Sequence, residues 1–111
     1  MVTRAQLTEL ITRKDQEIVV HAIGRALVHL LRRQTQEEQR DNTTRNYNLR
    51  GFTPGDARQG CIHAKYFIKH GTLAEWQIRY WQKPNAKGIP RLAKYWRQID
   101  EEAKKKALKE R

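Results

Sequence analysis

The chain has 111 residues, of which 38% are hydrophobic and 32% charged, and its formal net charge is +11. This length predicts one small domain with a modest core, or a compact core that carries a helical arm. The single cysteine excludes an internal disulfide. With no apolar run of the roughly 20 residues that a membrane span needs, and no secretory signal pattern, we expect a soluble cytoplasmic protein.

The positive charge is concentrated in the second part of the chain. Residues 1–44 carry seven Lys/Arg against six Asp/Glu, whereas residues 45–111 carry sixteen against six. A strongly cationic region attracts polyanions or acidic protein surfaces. We therefore expect any surface that binds such a partner to lie in the second part.

The sequence of residues 1–44 predicts two helices. Thr3 is suited to cap a short helix that runs to about Arg13. A longer helix over 15–34 follows, with apolar residues at three- and four-residue steps from Val19 to Leu31. This stripe is either the seam of a homodimer or a face that packs on later helices of the same chain. Gly24 lies within it, and either permits close approach of another helix or is only a weak helical position.

A long irregular segment separates this part from the rest. Thr35 and Glu38 have the spacing of a capping box and predict a new helical turn. Asn, Thr and Gly then dominate, which predicts a loop over 41–53. The loop either binds a partner through its larger side chains or only connects the two parts of the chain. These side chains are Arg45, Tyr47, Arg50 and Phe52.

The next principal helix is predicted over 54–70. Thr53 and Pro54 have the character of an N-cap followed by a first helical residue, and Gly71 is a stop signal. Three residues on the inner face of this helix are small, which implies a close contact with another helix. The face comprises Ala57, Cys61, Ala64 and either Phe67 or Ile68.

Two further helices follow. Thr72 and Glu75 have capping-box spacing and predict a helix over 73–83 that Pro84 ends. A turn then leads to a last helix over 90–106 that Pro90 opens. The prediction is an all-α fold of four principal helices, near 15–34, 54–70, 73–83 and 90–106. We expect an N-terminal helical arm over 1–40, the loop over 41–53 and a basic, aromatic-rich helical domain over 54–111.

The sequence does not favour an enzyme or a metal protein. It contains no serine and no glycine-rich phosphate loop. Cys61 and His63 resemble a fragment of a zinc site, but no second pair follows at the required spacing. The remaining candidate bases or ligands are His21, His29 and His70. We expect no catalytic residue, no metal and no cofactor.

Residues 72–99 contain the candidate binding surface. They hold all three tryptophans, six cations and one acid, Glu75. Cations neutralise phosphates while flat rings stack on bases, so this mixture suits a nucleic-acid surface; the same rings also suit the core of a small helical domain. The proposed contacts are Arg79, Lys83, Lys87, Arg91, Lys94 and Arg97, with Tyr80, Trp81 and Trp96 as stacking partners and Arg45 and Arg50 from the loop.

Three motifs resemble small basic helical proteins encoded by phages and prophages. They are GFTPGDARQG (51–60), WQIRYWQKP (76–84) and PRLAKYWRQI (90–99). The resemblance covers residues 51–99 and assigns no catalytic residue. It implies a mobile-element context in which DNA metabolism or interference with host defence is the expected role.

Two functions are therefore open. The first is an accessory protein that binds DNA or RNA largely without sequence preference. The second is an inhibitor, of the anti-CRISPR or anti-restriction type, that binds a host nucleic-acid-processing complex. Clustered acids that mimic DNA would favour the inhibitor, and the sequence has none in this region. We favour nucleic-acid binding.

Overall fold

A computed structural model describes residues 2–34, 36–41 and 51–109, without the side chains of 36, 37 and 107–109. Within these residues the fold is helical and contains no β-strand, which confirms the predicted all-α class. The α-helices are α1 (Arg4–Ile11), α2 (Gln16–Arg32), α3 (Gln36–Asp41), α4 (Ala57–His70), α5 (Glu75–Gln82) and α6 (Trp96–Lys109), and a 3₁₀ helix (Arg91–Tyr95) leads into α6.

Several helix ends follow the local signals in the sequence. The Thr3 hydroxyl accepts from the Gln6 amide at 3.2 Å, and the Gln6 side chain accepts from the Thr3 amide at 3.1 Å. Gly71 ends α4 with a φ of 70°, and its amide donates to the Phe67 carbonyl at 2.8 Å. α5 ends just before Pro84, as predicted.

Two predicted helix starts were wrong. The Thr53 carbonyl accepts a hydrogen bond from the Asp56 amide at 3.0 Å, which closes a turn, and α4 begins only at Ala57. α5 begins at Glu75 rather than after Thr72, because the Gln77 side chain accepts from the Ala74 amide at 2.8 Å. In both cases the helix begins beyond the threonine.

The chain forms two compact units, Met1–Ile23 with Ala74–Arg111, and Gly24–Leu73. In the first unit α1 packs against the 3₁₀ helix and α6, and α5 packs against the 3₁₀ helix. The Val2 amide donates to Asp100 at 2.7 Å, and this bond lowers the pKa of that carboxyl. Residues 2–11 therefore pack within the first unit.

The second unit contains the rest of α2, together with α3 and α4. The Phe67 ring lies against Gly24, where an added Cβ would come within 2.3 Å of the ring. This contact shows that Gly24 permits close approach, and it makes Phe67 the inward residue of α4. Phe52, one of the loop residues that could have reached a partner, is instead buried with its ring against Gly60.

The apolar stripe of α2 is covered within a single chain. Its members are fully or almost fully buried: Val19, Ile23, Ala26, Leu27, Leu30 and Leu31. A side chain that already packs inside its own chain has no apolar surface left to pair with a second copy. The stripe is therefore part of the core of the chain, which fits the second of the two alternatives.

Candidate nucleic-acid interface

The outer face of α5 carries an aromatic residue and two cations. Gln77, Ile78 and Trp81 are buried and mark the face that packs inward. Trp76 and Lys83 are exposed on the opposite side, seven residues apart, which corresponds to nearly two helical turns. With Arg79 between them, these residues form what we call the α5 ridge: Trp76, Arg79 and Lys83.

A well-defined turn connects the α5 ridge to the 3₁₀ helix. The Asn85 side chain accepts from the Lys87 amide at 2.8 Å and from the Ile89 amide at 3.1 Å. Gly88 has a φ of 78°, a left-handed conformation that glycine adopts without steric cost. The Arg91 amide donates to the Lys83 carbonyl at 3.0 Å. The turn therefore brings cations from both of its ends together.

The 3₁₀ winding aligns the next cations. Residues three apart in a 3₁₀ helix lie directly above one another. Leu92 and Tyr95 are such a pair, and both are buried. Arg91 and Lys94 are the corresponding pair on an adjacent side, and Arg97 follows at the same interval in the first turn of α6. We call these three the 3₁₀ line.

Each cation of the 3₁₀ line lies beside an aromatic ring. The Arg91 guanidinium carbon is 4.5 Å from the centroid of Tyr80, and that of Arg97 is 5.3 Å from the centroid of Trp96. Lys94 Nζ is 5.2 Å from the centroid of Tyr95. Such cation–π contacts restrict the cationic side chains without neutralising their charge. The guanidinium edges remain suited to phosphate oxygens.

Acids are almost absent from this surface. No Asp or Glu occurs between Glu75 and Asp100. Glu75 forms an ion pair with Arg79 one turn along α5. Among the residues that the structure describes, no carboxylate lies within ion-pair distance of Lys83, Lys87 or Arg97. The net field is therefore positive along the α5 ridge, the turn and the 3₁₀ line.

The predicted site residues differ in exposure. The exposed cations are Arg79, Lys83, Lys87, Lys94 and Arg97. Arg91, expected on the solvent side, is half-buried because it stacks on Tyr80; that ring and Trp96 are also half-buried. Trp81 has no exposed surface, and its expected role as a stacking partner was wrong. Arg45 and Arg50 lie outside the described residues.

The sequence reasoning left Trp76 out of the site. Its side chain is 59% exposed, more than the other two tryptophans. The available signal was the position of Ile78 and Trp81, because Trp76 lies across the helix from both. The sequence could have identified Trp76 as exposed only if the first residue of α5 had been predicted correctly, because that residue determines which side of the helix each later residue occupies.

Cys61 and His63, which resemble a fragment of a zinc site, both lie in the interior. Their burial raises the pKa of the thiol and lowers that of the imidazole to about 4. Among the described residues, no group of three His, Cys, Asp or Glu side chains is placed to hold a metal ion. Cys61 therefore packs as a small hydrophobic residue, as predicted.

Comparison with protein-family profiles, with curated proteins and with solved structures finds no match for this chain. Within its described part, no helix combines the length and the hydropathy of a membrane span. The function must therefore be inferred from the geometry and charge of the surface itself.

Proposed function

We propose that this protein binds nucleic acid with little sequence preference, through the α5 ridge, the turn that carries Lys87 and the 3₁₀ line. The observation that carries the proposal is the acid-free run of six cations from Trp76 to Ile99, which one compact unit presents from successive elements. Phosphate contacts of this kind supply affinity and register but do not read base identity.

The spacing of the cations supports contact with a phosphate backbone. The cations of the 3₁₀ line are successive on a stiff element, and Arg91 is held by Tyr80. Holding a cation in place lowers the conformational entropy that it loses on binding. The surface has no helix that projects a set of base-reading side chains, so we expect binding to depend mainly on charge.

The direct test is binding of the purified protein, freed of contaminating nucleic acid, to labelled single-stranded and duplex DNA and RNA at low salt. We expect binding to at least the single-stranded probes, and affinity that falls steeply as salt rises. Lack of binding to every probe would contradict the proposal. A pull-down from host lysate, with and without nuclease, then separates nucleic acid from protein as the captured partner.

A protein-binding inhibitor is the second candidate. The observation that favours it is the same cationic surface, since exposed cations suit an acidic protein surface as well as a phosphate backbone. Nuclease-resistant capture of one host complex, with no affinity for free nucleic acid, would support this function. The phage or prophage context remains a proposal from the resemblance of residues 51–99.

A further inference from the structure

Trp76 occupies a position that core packing does not explain. It is 59% exposed, and it projects from α5 on the side opposite Gln77, Ile78 and Trp81. A tryptophan in this position forgoes most of the stabilisation that burial of its large ring would provide. The ring instead presents apolar surface on the cationic side of the helix.

The neighbours of Trp76 indicate which ligand suits it. Arg79 follows one turn along the helix, and Lys83 follows after the next. The nearby acid, Glu75, is engaged by Arg79 and lies about 100° around the helix from Trp76. An aromatic face among cations is complementary to a ligand that combines flat rings with negative charge, which is the composition of a polynucleotide.

The exposed position of the Trp76 ring on a helix surface favours single-stranded over duplex nucleic acid. In a duplex the base faces are stacked on each other, so an exposed ring on a helix surface reaches only backbone and groove edges. In a single strand the bases can leave the stack and lie on an aromatic side chain.

We infer that Trp76 is a base-stacking site and that it makes this surface prefer single-stranded over duplex nucleic acid. This inference rests on the proposed function, since it requires Lys83, Lys87 and the cations of the 3₁₀ line to hold the phosphates. Lys83, on the same ridge, contacts the backbone next to the stacked base. Stacking contributes to both DNA and RNA binding because every base has a flat face.

The test compares Trp76→Ala with Trp76→Phe by fluorescence anisotropy, on a labelled oligothymidylate and on a hairpin duplex of similar charge. Trp76→Ala should weaken single-strand binding by about 5- to 150-fold, while Trp76→Phe keeps most of the affinity. Duplex affinity and the salt slope should be unchanged, since stacking releases no counterions. Ile68→Ala is the matched control, because Ile68 is equally exposed at 60% but lies in the second unit.

The outcomes separate this inference from the proposed function. Equal loss on both probes, or no loss on the single strand, overturns the stacking site while salt-dependent binding still supports the basic surface. If the unmutated protein binds neither probe, both proposals fail. An unchanged urea midpoint for Trp76→Ala excludes loss of folding as the cause of weaker binding.

Discussion

The salt dependence of binding offers a quantitative test of the cationic surface. The perturbation is the double substitution Lys83→Gln and Lys87→Gln. Both side chains are exposed, and within the described residues neither has a carboxylate partner whose loss would complicate the result. Glutamine keeps the length and polarity of the side chain while removing its charge.

The magnitude follows from counting the cations available to phosphates. Arg79 is engaged by Glu75, which leaves Lys83, Lys87 and the 3₁₀ line. If each of these five cations neutralises one phosphate of a single strand, the log–log slope against salt is about −3.5, since each contributes about −0.7. Removing two contacts should reduce the slope by about 1.4. It should also weaken affinity by roughly 25-fold at about 0.1 M salt, with the curves converging toward 1 M.

The assay is fluorescence anisotropy with a labelled single strand over a salt series. Arg58→Gln with Lys69→Gln is the matched control, because both cations are exposed on α4 in the second unit. The control should leave the slope nearly unchanged. The reasoning is refuted if the Lys83 and Lys87 substitutions lower affinity without changing the slope, or if the control pair reduces it equally.

Three further predictions concern single side chains. Glu75→Gln should strengthen single-strand binding about 5-fold at about 0.1 M salt, because Arg79 becomes available to one more phosphate; unchanged anisotropy titrations would contradict this. Gly24→Ala should destabilise the fold by about 1–2 kcal/mol in urea unfolding, because the new Cβ overlaps the Phe67 ring. In a Phe67→Ala background the same substitution should become stabilising through its helix propensity. Burial lowers the pKa of His63 to about 4 in the folded state, so the unfolded state binds more protons below about pH 6.5. Stability should therefore fall between about pH 6.5 and 4, by about 2–3 kcal/mol at pH 4.5, and His63→Gln should lose less over that range.

Much of the helical framework could be predicted because its signals are local. The Thr3 cap and the Gly71 stop depend on hydrogen bonds and steric limits within a few residues, and both occur as the sequence indicates. The starts of α4 and α5 were misplaced because both helices begin beyond Thr53 and Thr72, although each threonine has the right chemistry for a cap. A capping signal identifies a residue that is able to cap a helix, and the surrounding contacts decide whether it does.

The candidate site could be predicted only in part. The cations of residues 76–99 are evident from the sequence, since charge depends on residue type alone. The sequence did not show which tryptophan rings are buried and which are exposed, because Trp76, Trp81 and Trp96 all occur among similar cationic and apolar neighbours. Exposure depends on the phase of each helix and on what packs against it.

The sequence by itself determined that this chain is helical, that its positive charge is concentrated in the second part, and that Pro84 ends a helix. Tertiary structure alone decided that Trp81 is core while Trp76 is surface, and that Phe67 closes over Gly24. It also decided that residues 91–95 wind as a 3₁₀ helix, which places Arg91 over Tyr80. The physical reason is that helix capping depends on hydrogen bonds within a few residues, and charge depends on residue type alone. Burial depends instead on contacts between residues far apart in sequence.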